Sequence, residues 1–196
     1  MFAGDLGIDI WESIDAASTK PFGFMRFTPG PGVGGHCLPI DPSYLSWRVR
    51  RALGQPFRFV ELANDVNDHM PDYVVRRVTV ALNRNRQAVN GSRVLLLGLA
   101  YKANTGDDRE SPAVVVAERL VTLGADVRVA DPHVIADHVH AKVERVEVTP
   151  EELAGADAVV LLTDHDAFDL DAVRTFARYV LDTRRRVAPA EHVEYL

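Results

Sequence analysis

From residue 57 to about residue 88 the apolar side chains recur at intervals of three and four: Phe59, Leu62, Ala63, Val66, Met70, Val74, Val78 and Leu82. That spacing gathers them on one side of an α-helix and predicts a long helix over 57–88. Pro71 lacks an amide N–H and falls inside the run, so a kink or break is expected there. A shorter set, Ile8, Ile10, Trp11, Ile14 and Ala17, predicts a helix over 5–17. Between the two, Asp41-Pro42 reads as a helix start, with Asp41 as N-cap and Pro42 where no amide donor is needed. Tyr44, Leu45, Trp47 and Val49 continue that helix, and Gly54 can end it. Residues 21–39, rich in Gly, Pro and Phe, form a loop.

Asn90-Gly91 is a turn signal, and the pattern changes after it. Residues 93–100, 126–130, 158–163 and 179–182 read as strands. Helices are predicted over 112–123, with Ser111-Pro112 at its start and Gly124 at its end, and over 150–156 and 170–177. Strands alternating with helices define an α/β unit, a parallel sheet with helices on both faces and right-handed crossovers. The chain therefore divides into a helical part, 1–89, and a sheet part, 90–196.

Composition narrows the function. The formal charge of −6 argues against a broad nucleic-acid footprint, and 47% hydrophobic with 26% charged residues is the balance of a folded globular chain. The arginine clusters at 48, 50, 51 and at 184–186 read equally well as solvated surface. Cys37 is the only cysteine, so no intrachain disulfide can form. No segment approaches the ~20 apolar residues that span a bilayer, and the N-terminus lacks the pattern of a secretory signal. The cytoplasm is the expected location.

The chemistry concentrates at Gly30-Pro31-Gly32-Val33-Gly34-Gly35-His36-Cys37-Leu38-Pro39-Ile40-Asp41-Pro42. Glycines allow positive φ and a close backbone approach, and their amides can form a concave anion-binding nest. The thiol follows directly, before an expected helix N-terminus that favours the thiolate. Each feature also has a bland explanation. No strand precedes the glycines, Cys37 can be a small buried hydrophobe, His36 can be structural, and Asp41 can be only a cap. His133, His138 and His140 lie in a polar connection without helical register, and no metal site is expected from them.

Gly34-Gly35-His36-Cys37-Leu38-Pro39-Ile40-Asp41-Pro42 closely resembles the active-site segment of UDP-glucose/GDP-mannose dehydrogenases. Its His-Cys-x-Pro-x-Asp-Pro form looks most like the branch that oxidises UDP-N-acetylhexosamines, the UDP-N-acetylglucosamine or N-acetylmannosamine 6-dehydrogenases. Thr19-Lys20-Pro21-Phe22-Gly23-Phe24 and Tyr44-Leu45-Ser46-Trp47 fit that branch too. A second resemblance is carried by Gly98-Leu99-Ala100-Tyr101-Lys102 with Asp107-Asp108-Arg109-Glu110-Ser111-Pro112-Ala113. A third lies in Thr163-Asp164-His165 with Asp182-Thr183-Arg184. The three stand in family order and cover nearly the whole chain.

The resemblance implies a Rossmann-like C-terminal sheet for UDP-sugar binding, preceded by part of an all-helical dimerisation domain. It implies NAD-dependent oxidation of a C6 hydroxyl to a carboxylate through a thiohemiacetal and a thioester on Cys37. Asp41 would position or activate water. Gly32, Gly34 and Gly35 would offer amides to the sugar nucleotide. Lys102 would join substrate binding to the catalytic loop, and Tyr101 would stand at the same site, although simple packing explains it nearly as well. Arg184 would grip the substrate nucleotide with its planar fork. Arg109 would reach the cofactor, with a salt bridge to Asp107, Asp108 or Glu110 as the alternative. Arg185 and Arg186 have no such match.

The family's main NAD-binding domain, with its Gly-x-Gly-x-x-Gly turn after a strand, is not found in the sequence. The chain alone is therefore expected to be inactive. A homodimer through the central helices is implied, and a separate NAD-binding chain stays open as a partner. The competing reading is a non-catalytic UDP-sugar-binding or dimerisation module.

Overall fold

In the computed structural model, which describes residues 2–135 and 142–196, alternation along the first strand organises the second half of the chain. In β1 (Arg93–Leu97), Val94 and Leu96 point to one face and Leu95 and Leu97 to the other, all four fully buried. A strand apolar on both faces must be covered on both. One cover is α5 (Met70–Arg84) with α6 (Pro112–Thr122), through Val74, Val78, Leu82, Val116 and Leu120. The other is α7 (Pro150–Gly155) with α8 (Leu170–Phe176), through Leu153 and Val173.

The remaining strands are β2 (Asp126–Ala130), β3 (Glu144–Arg145), β4 (Ala158–Leu161), β5 (Val180–Asp182) and β6 (Val193–Tyr195). They form one sheet in the order β3-β2-β1-β4-β5-β6, parallel throughout, with Leu96 level with Val129 and Val160. The reversal between β1 and β4 opens a crevice at the strands' carboxyl ends, where such sheets place ligands. Four strands were expected. The other two are a two-residue polar edge and a three-residue terminal strand, too short for alternation to register.

Several boundaries follow local chemistry. Ser111 accepts from the Ala113 amide at 3.3 Å, with Pro112 first in α6. Asp169 caps α8 through the Ala172 amide at 2.9 Å, and Gly54 ends its helix at φ 67°.

Three expectations in the helical half need correction. The helix placed over 5–17 is two, α1 (Phe2–Asp5) and α2 (Ile10–Ser18), the second capped by Asp9. The expected long helix 57–88 is also two, α4 (Arg58–Asp68) and α5, and the break lies at His69 rather than at Pro71. A proline ring excludes the carbonyl four residues earlier and supplies no amide to it. Pro71 therefore sits in the first turn of α5, and the chain breaks just ahead of it. Finally, α3 (Cys37–Leu53) begins four residues before Asp41, its first bond running from the Ile40 amide to the His36 carbonyl at 3.1 Å. Asp41 is thus not an N-cap, and Pro42 lies inside the helix. Pro39 occupies the first turn, where its missing N–H costs nothing.

His138 and His140 lie outside the described residues. Among those described, no three His, Cys, Asp or Glu are arranged to hold a metal. No described helix is long and apolar enough to cross a membrane.

Candidate functional site

The early start of α3 changes the setting of Cys37. It is the first residue of a 17-residue helix and is exposed. The positive end of the helix dipole lies there and favours negative charge developing at that point. Asp41, also exposed, follows one helical turn later and so shares a face with Cys37. His36 precedes the helix without a side-chain capping bond.

The glycine loop does not stand free. A Cβ on Gly34 would come within 2.5 Å of the Glu110 carbonyl and 2.9 Å of Pro112 Cδ and Tyr101 Cβ, so only glycine allows this approach. Gly35 lies against the Tyr101 ring, and Gly32, at φ 133°, against Pro112. Asn67 near the end of α4 holds Val33 at both ends of its backbone: its Oδ1 accepts from the Val33 amide at 2.7 Å, and its Nδ2 donates to the Val33 carbonyl at 3.1 Å. The glycines serve docking onto residues 101–112, a use that their sequence alone does not separate from ligand binding.

Two loops at the carboxyl edge of the sheet meet this one. The first follows β1. The Tyr101 amide donates to the Asp107 carbonyl at 3.0 Å, and Lys102, exposed, holds its Nζ 5.4 Å from the Tyr101 ring centre. The second follows β5, where Asp182, fully buried, accepts from the amides of Arg184, Arg186 and Val187 at 2.8, 2.6 and 2.7 Å. Burial pushes the Asp182 carboxyl above its usual range, against these bonds. The loop it shapes directs the Arg184 Nε to the Leu162 carbonyl at 2.8 Å. The guanidinium passes beneath Gly30, whose Cβ, if present, would lie 2.7 Å from Nη1. Burial lowers the Arg184 pKa from its usual value, opposed by Asp164 and Asp182. Asn104, Glu110 and Arg185, all at positive φ without being glycine, stand in or beside these segments.

Thus Gly30, Gly34 and Gly35 are brought against Arg184 and Tyr101, with Lys102 beside Tyr101 and Cys37 two residues past Gly35. Arg109 is directed elsewhere. It makes a two-pronged pair with Asp107, Nε to Oδ1 at 2.8 Å and Nη2 to Oδ2 at 2.7 Å, and that pair holds the Asp107 carboxyl well below the usual range. Arg109 also lines a cleft of about 600 Å³ with His36, Asn67, Asp108 and Arg119. Cys37, Asp41, Tyr101, Lys102 and Arg184 do not line that cleft.

Sequence reading missed Asn67, Asp182 as a loop anchor, and Asp131. Asp131 stands at the end of β2, where a dinucleotide-binding sheet carries an acid for the ribose. Here its Oδ2 turns back and accepts from the Leu99 and Ala100 amides, at 2.6 and 3.0 Å. Those amides occupy the turn where such a sheet cradles a pyrophosphate. With a resident carboxylate on them, this edge does not fit NAD, and the described residues form no other glycine turn after a strand. The sequence signal was an acid at the carboxyl end of each of two strands, Asp131 just past β2 and Asp182 as the last residue of β5.

The comparisons with known proteins bear on the family and the fold. Residues 1–69 match the central domain of the UDP-glucose/GDP-mannose dehydrogenase family, and residues 95–189 match its UDP binding domain. The chain belongs to the UDP-glucose/GDP-mannose dehydrogenase family. It is 39% identical over 94% of its length to an NDP-N-acetyl-D-galactosaminuronic acid dehydrogenase of Ralstonia solanacearum, covering 42% of that protein. It is 36% identical over 84% of its length to a UDP-N-acetyl-D-mannosamine dehydrogenase of Methanococcus maripaludis, covering 35% of it. The crystal structure of NDP-N-acetyl-D-galactosaminuronic acid dehydrogenase from Methanosarcina mazei superposes with a TM-score of 0.81 at 28% identity, over 97% of this chain and 44% of that one. The chain thus spans less than half the length of these relatives.

Proposed function

We propose that residues 90–196 bind a UDP-sugar at the carboxyl edge of the sheet. Residues 1–89 then supply the nucleophile of a dehydrogenase that converts the C6 hydroxyl of a UDP-N-acetylhexosamine to a carboxylate. The observation that carries the reading is the docking of the glycine loop on Tyr101 and Arg184, which brings three separate motifs together on the loop that leads into Cys37. Arg184, Tyr101 and Lys102 hold the nucleotide sugar, with Gly32, Gly34 and Gly35 shaping the loop above them. The Cys37 thiolate adds to the carbon of a C6 aldehyde, the carbonyl electron pair moves to oxygen, and that oxygen takes a proton to give a thiohemiacetal. Asp41, one turn along α3, orients the water that later hydrolyses the thioester. Oxidation requires a hydride acceptor, NAD by resemblance. Arg109 is this chain's candidate contact to it, once released from Asp107. No hydride step is derived from the described residues, and the chain alone is expected to be inactive. The proposed location is the cytoplasm.

The deciding experiment is calorimetric titration with UDP-N-acetylglucosamine, with UDP alone and a Cys37→Ser variant as controls. Binding by both chains, retained in part by UDP, is expected. A folded chain that binds no UDP compound would sink the reading. Rapid, selective alkylation of Cys37 at neutral pH favours the enzyme over a non-catalytic binding module. The engagement of Arg109 by Asp107 is the observation on the other side. The proposal includes a homodimer through the central helices, where Phe59, Leu62 and Val66 of α4 are exposed. Sedimentation is expected to give a dimer, and a monomer that binds no apolar dye counts against it.

A further inference from the structure

We infer that Asp131 and His165 are positioning residues for Lys102, acting by gripping both ends of the short loop that carries it. The inference rests on the proposed UDP-sugar site and adds to it two side chains that do not touch the ligand themselves.

Asp131 and His165 meet with both side chains wholly buried, His165 Nε2 lying 3.0 Å from Asp131 Oδ2. The same oxygen accepts from the amides of Leu99 and Ala100, ahead of Lys102. On the far side, the Asn104 amide donates to His165 Nδ1 at 2.9 Å. An Nδ1 that accepts leaves the ring proton on Nε2, which then donates to Asp131, so the two contacts fix one tautomer. Asp131 Oδ1 accepts from the His133 and Val134 amides at 2.8 and 2.9 Å and so locks the carboxylate to the end of β2.

The grip is completed at the surface. Asn104 Nδ2 donates to Asp166 Oδ2 at 2.7 Å, and the Asp166 amide donates back to Asn104 Oδ1 at 3.0 Å. Thr163 Oγ1 donates to the Ala100 carbonyl at 2.6 Å. The Lys102 backbone is therefore suspended between Ala100 and Asn104, and the polar groups fixing both ends come from the segments after β2 and β4. Packing does not explain the arrangement, because an apolar pair would fill the same space without matching five donors to one carboxylate. Such a grip fixes the direction of a flexible lysine stem while leaving its ammonium in solvent. That is what recognition of an anionic ligand requires of a mobile side chain.

The test is a double-mutant cycle on UDP-N-acetylglucosamine affinity, measured by calorimetry on the whole chain with thermal midpoints recorded alongside. His165→Gln can keep a donor to Asp131 but loses the acceptor for the Asn104 amide. Asn104→Gly keeps the left-handed backbone and removes only the exposed link to Asp166, so it serves if the buried variant fails to fold. Each is expected to weaken binding in the wild-type background, His165→Gln on the order of tenfold and Asn104→Gly less. In a Lys102→Ala background neither should shift affinity by more than about twofold. A residue with a merely structural role lowers the midpoint and weakens binding equally in both backgrounds, and that result overturns the inference. Unchanged affinity in the wild-type background overturns it as well. If Lys102→Ala itself leaves binding intact, or the wild-type chain binds nothing, the site reading fails and this inference fails with it.

Discussion

The two halves of the chain use their apolar residues in opposite ways. Val94, Leu95, Leu96 and Leu97 are buried to the last atom, as are Val159, Val160 and Leu161. Of the large apolar side chains left exposed among the described residues, all but Val80, Leu123, Ile135 and Phe176 lie before residue 67. There, buried hydrophobic residues reduce to Trp11 and Val60, and α3 meets α4 largely through polar contacts such as Asn64 to Ser43 at 2.8 Å. The sheet is complete only with α5 laid on it, and the helical residues ahead of α5 form a face. Fully burying one leucine stabilises by about 1.5–3 kcal/mol. The contrast therefore sets where cooperative stability resides.

The largest effect expected from that contrast is at Leu96. Leu96→Ala removes a side chain packed between α5, α6 and two neighbouring strands, and should cost about 2–5 kcal/mol in urea unfolding. Leu62→Ala, on a face of α4 exposed in the single chain, should cost no more than about 0.5 kcal/mol at concentrations where the proposed dimer is dissociated, and more only where it forms. Comparable losses at the two positions in the dissociated chain would break the contrast.

Asp131 comes next, because its stabilising role carries a pH signature. Burial pushes its carboxyl up, but hydrogen bonds from His165 and from the amides of Leu99, Val134 and His133 outweigh that and hold it well below the usual range. A folded pKa below the unfolded value of about 3.9 contributes stability that is fully present above that value. The contribution is lost as pH falls from there toward the folded pKa. Asp131→Asn should therefore cost on the order of 3 kcal/mol at neutral pH, and its deficit should shrink steadily below about pH 4. Denaturant midpoints between pH 2.5 and 7 test this. A deficit constant across that range would mean that shape, not charge, is what Asp131 contributes.

Gly34→Ala probes the seam between the halves. Its Cβ would meet the Glu110 backbone, which has no side-chain freedom to yield, so the loop must lift from Tyr101 and Pro112. A loss of about 1–3 kcal/mol is expected in the stability of the docked loop, read as faster proteolytic cutting over 20–36 with the sheet intact. Weaker UDP-sugar binding should accompany it. Undiminished binding with a loosened loop would separate the glycines from the ligand.

What could be read from the sequence divides along the same line. Strands at 93–97 and 158–161 were legible because residues buried on both faces leave continuous apolar runs, and 126–130 because Val127 and Val129 alternate with Asp126 and Arg128. The helix of Ser111-Pro112 was legible because its cap is local. The start of α3 was not, since Asp41-Pro42 offers a valid cap in isolation and only the assembled loop favours Cys37. The polar anchors were invisible for a related reason. Asp131 meets amides some thirty residues away, and Asn67 meets Val33 at a similar separation, so no local pattern marks either pair. The resemblance supplied residues with roles, while the contacts that hold those residues in place needed three dimensions.

The smallest expected effect concerns Arg109, where two roles compete for one guanidinium. Its pair with Asp107 is exposed, and exposed pairs are screened by salt and bring little net stability. Arg109→Ala should therefore leave the unfolding midpoint unchanged, and should leave UDP-sugar affinity unchanged too, since neither Lys102 nor Arg184 lines the cleft that it faces. If the pair is a resting state from which Arg109 turns to a cofactor, Asp107→Asn frees it without loss of stability. A falling midpoint for either variant would instead assign the pair to the architecture of the 101–112 segment, and Arg109 would leave the list of functional residues.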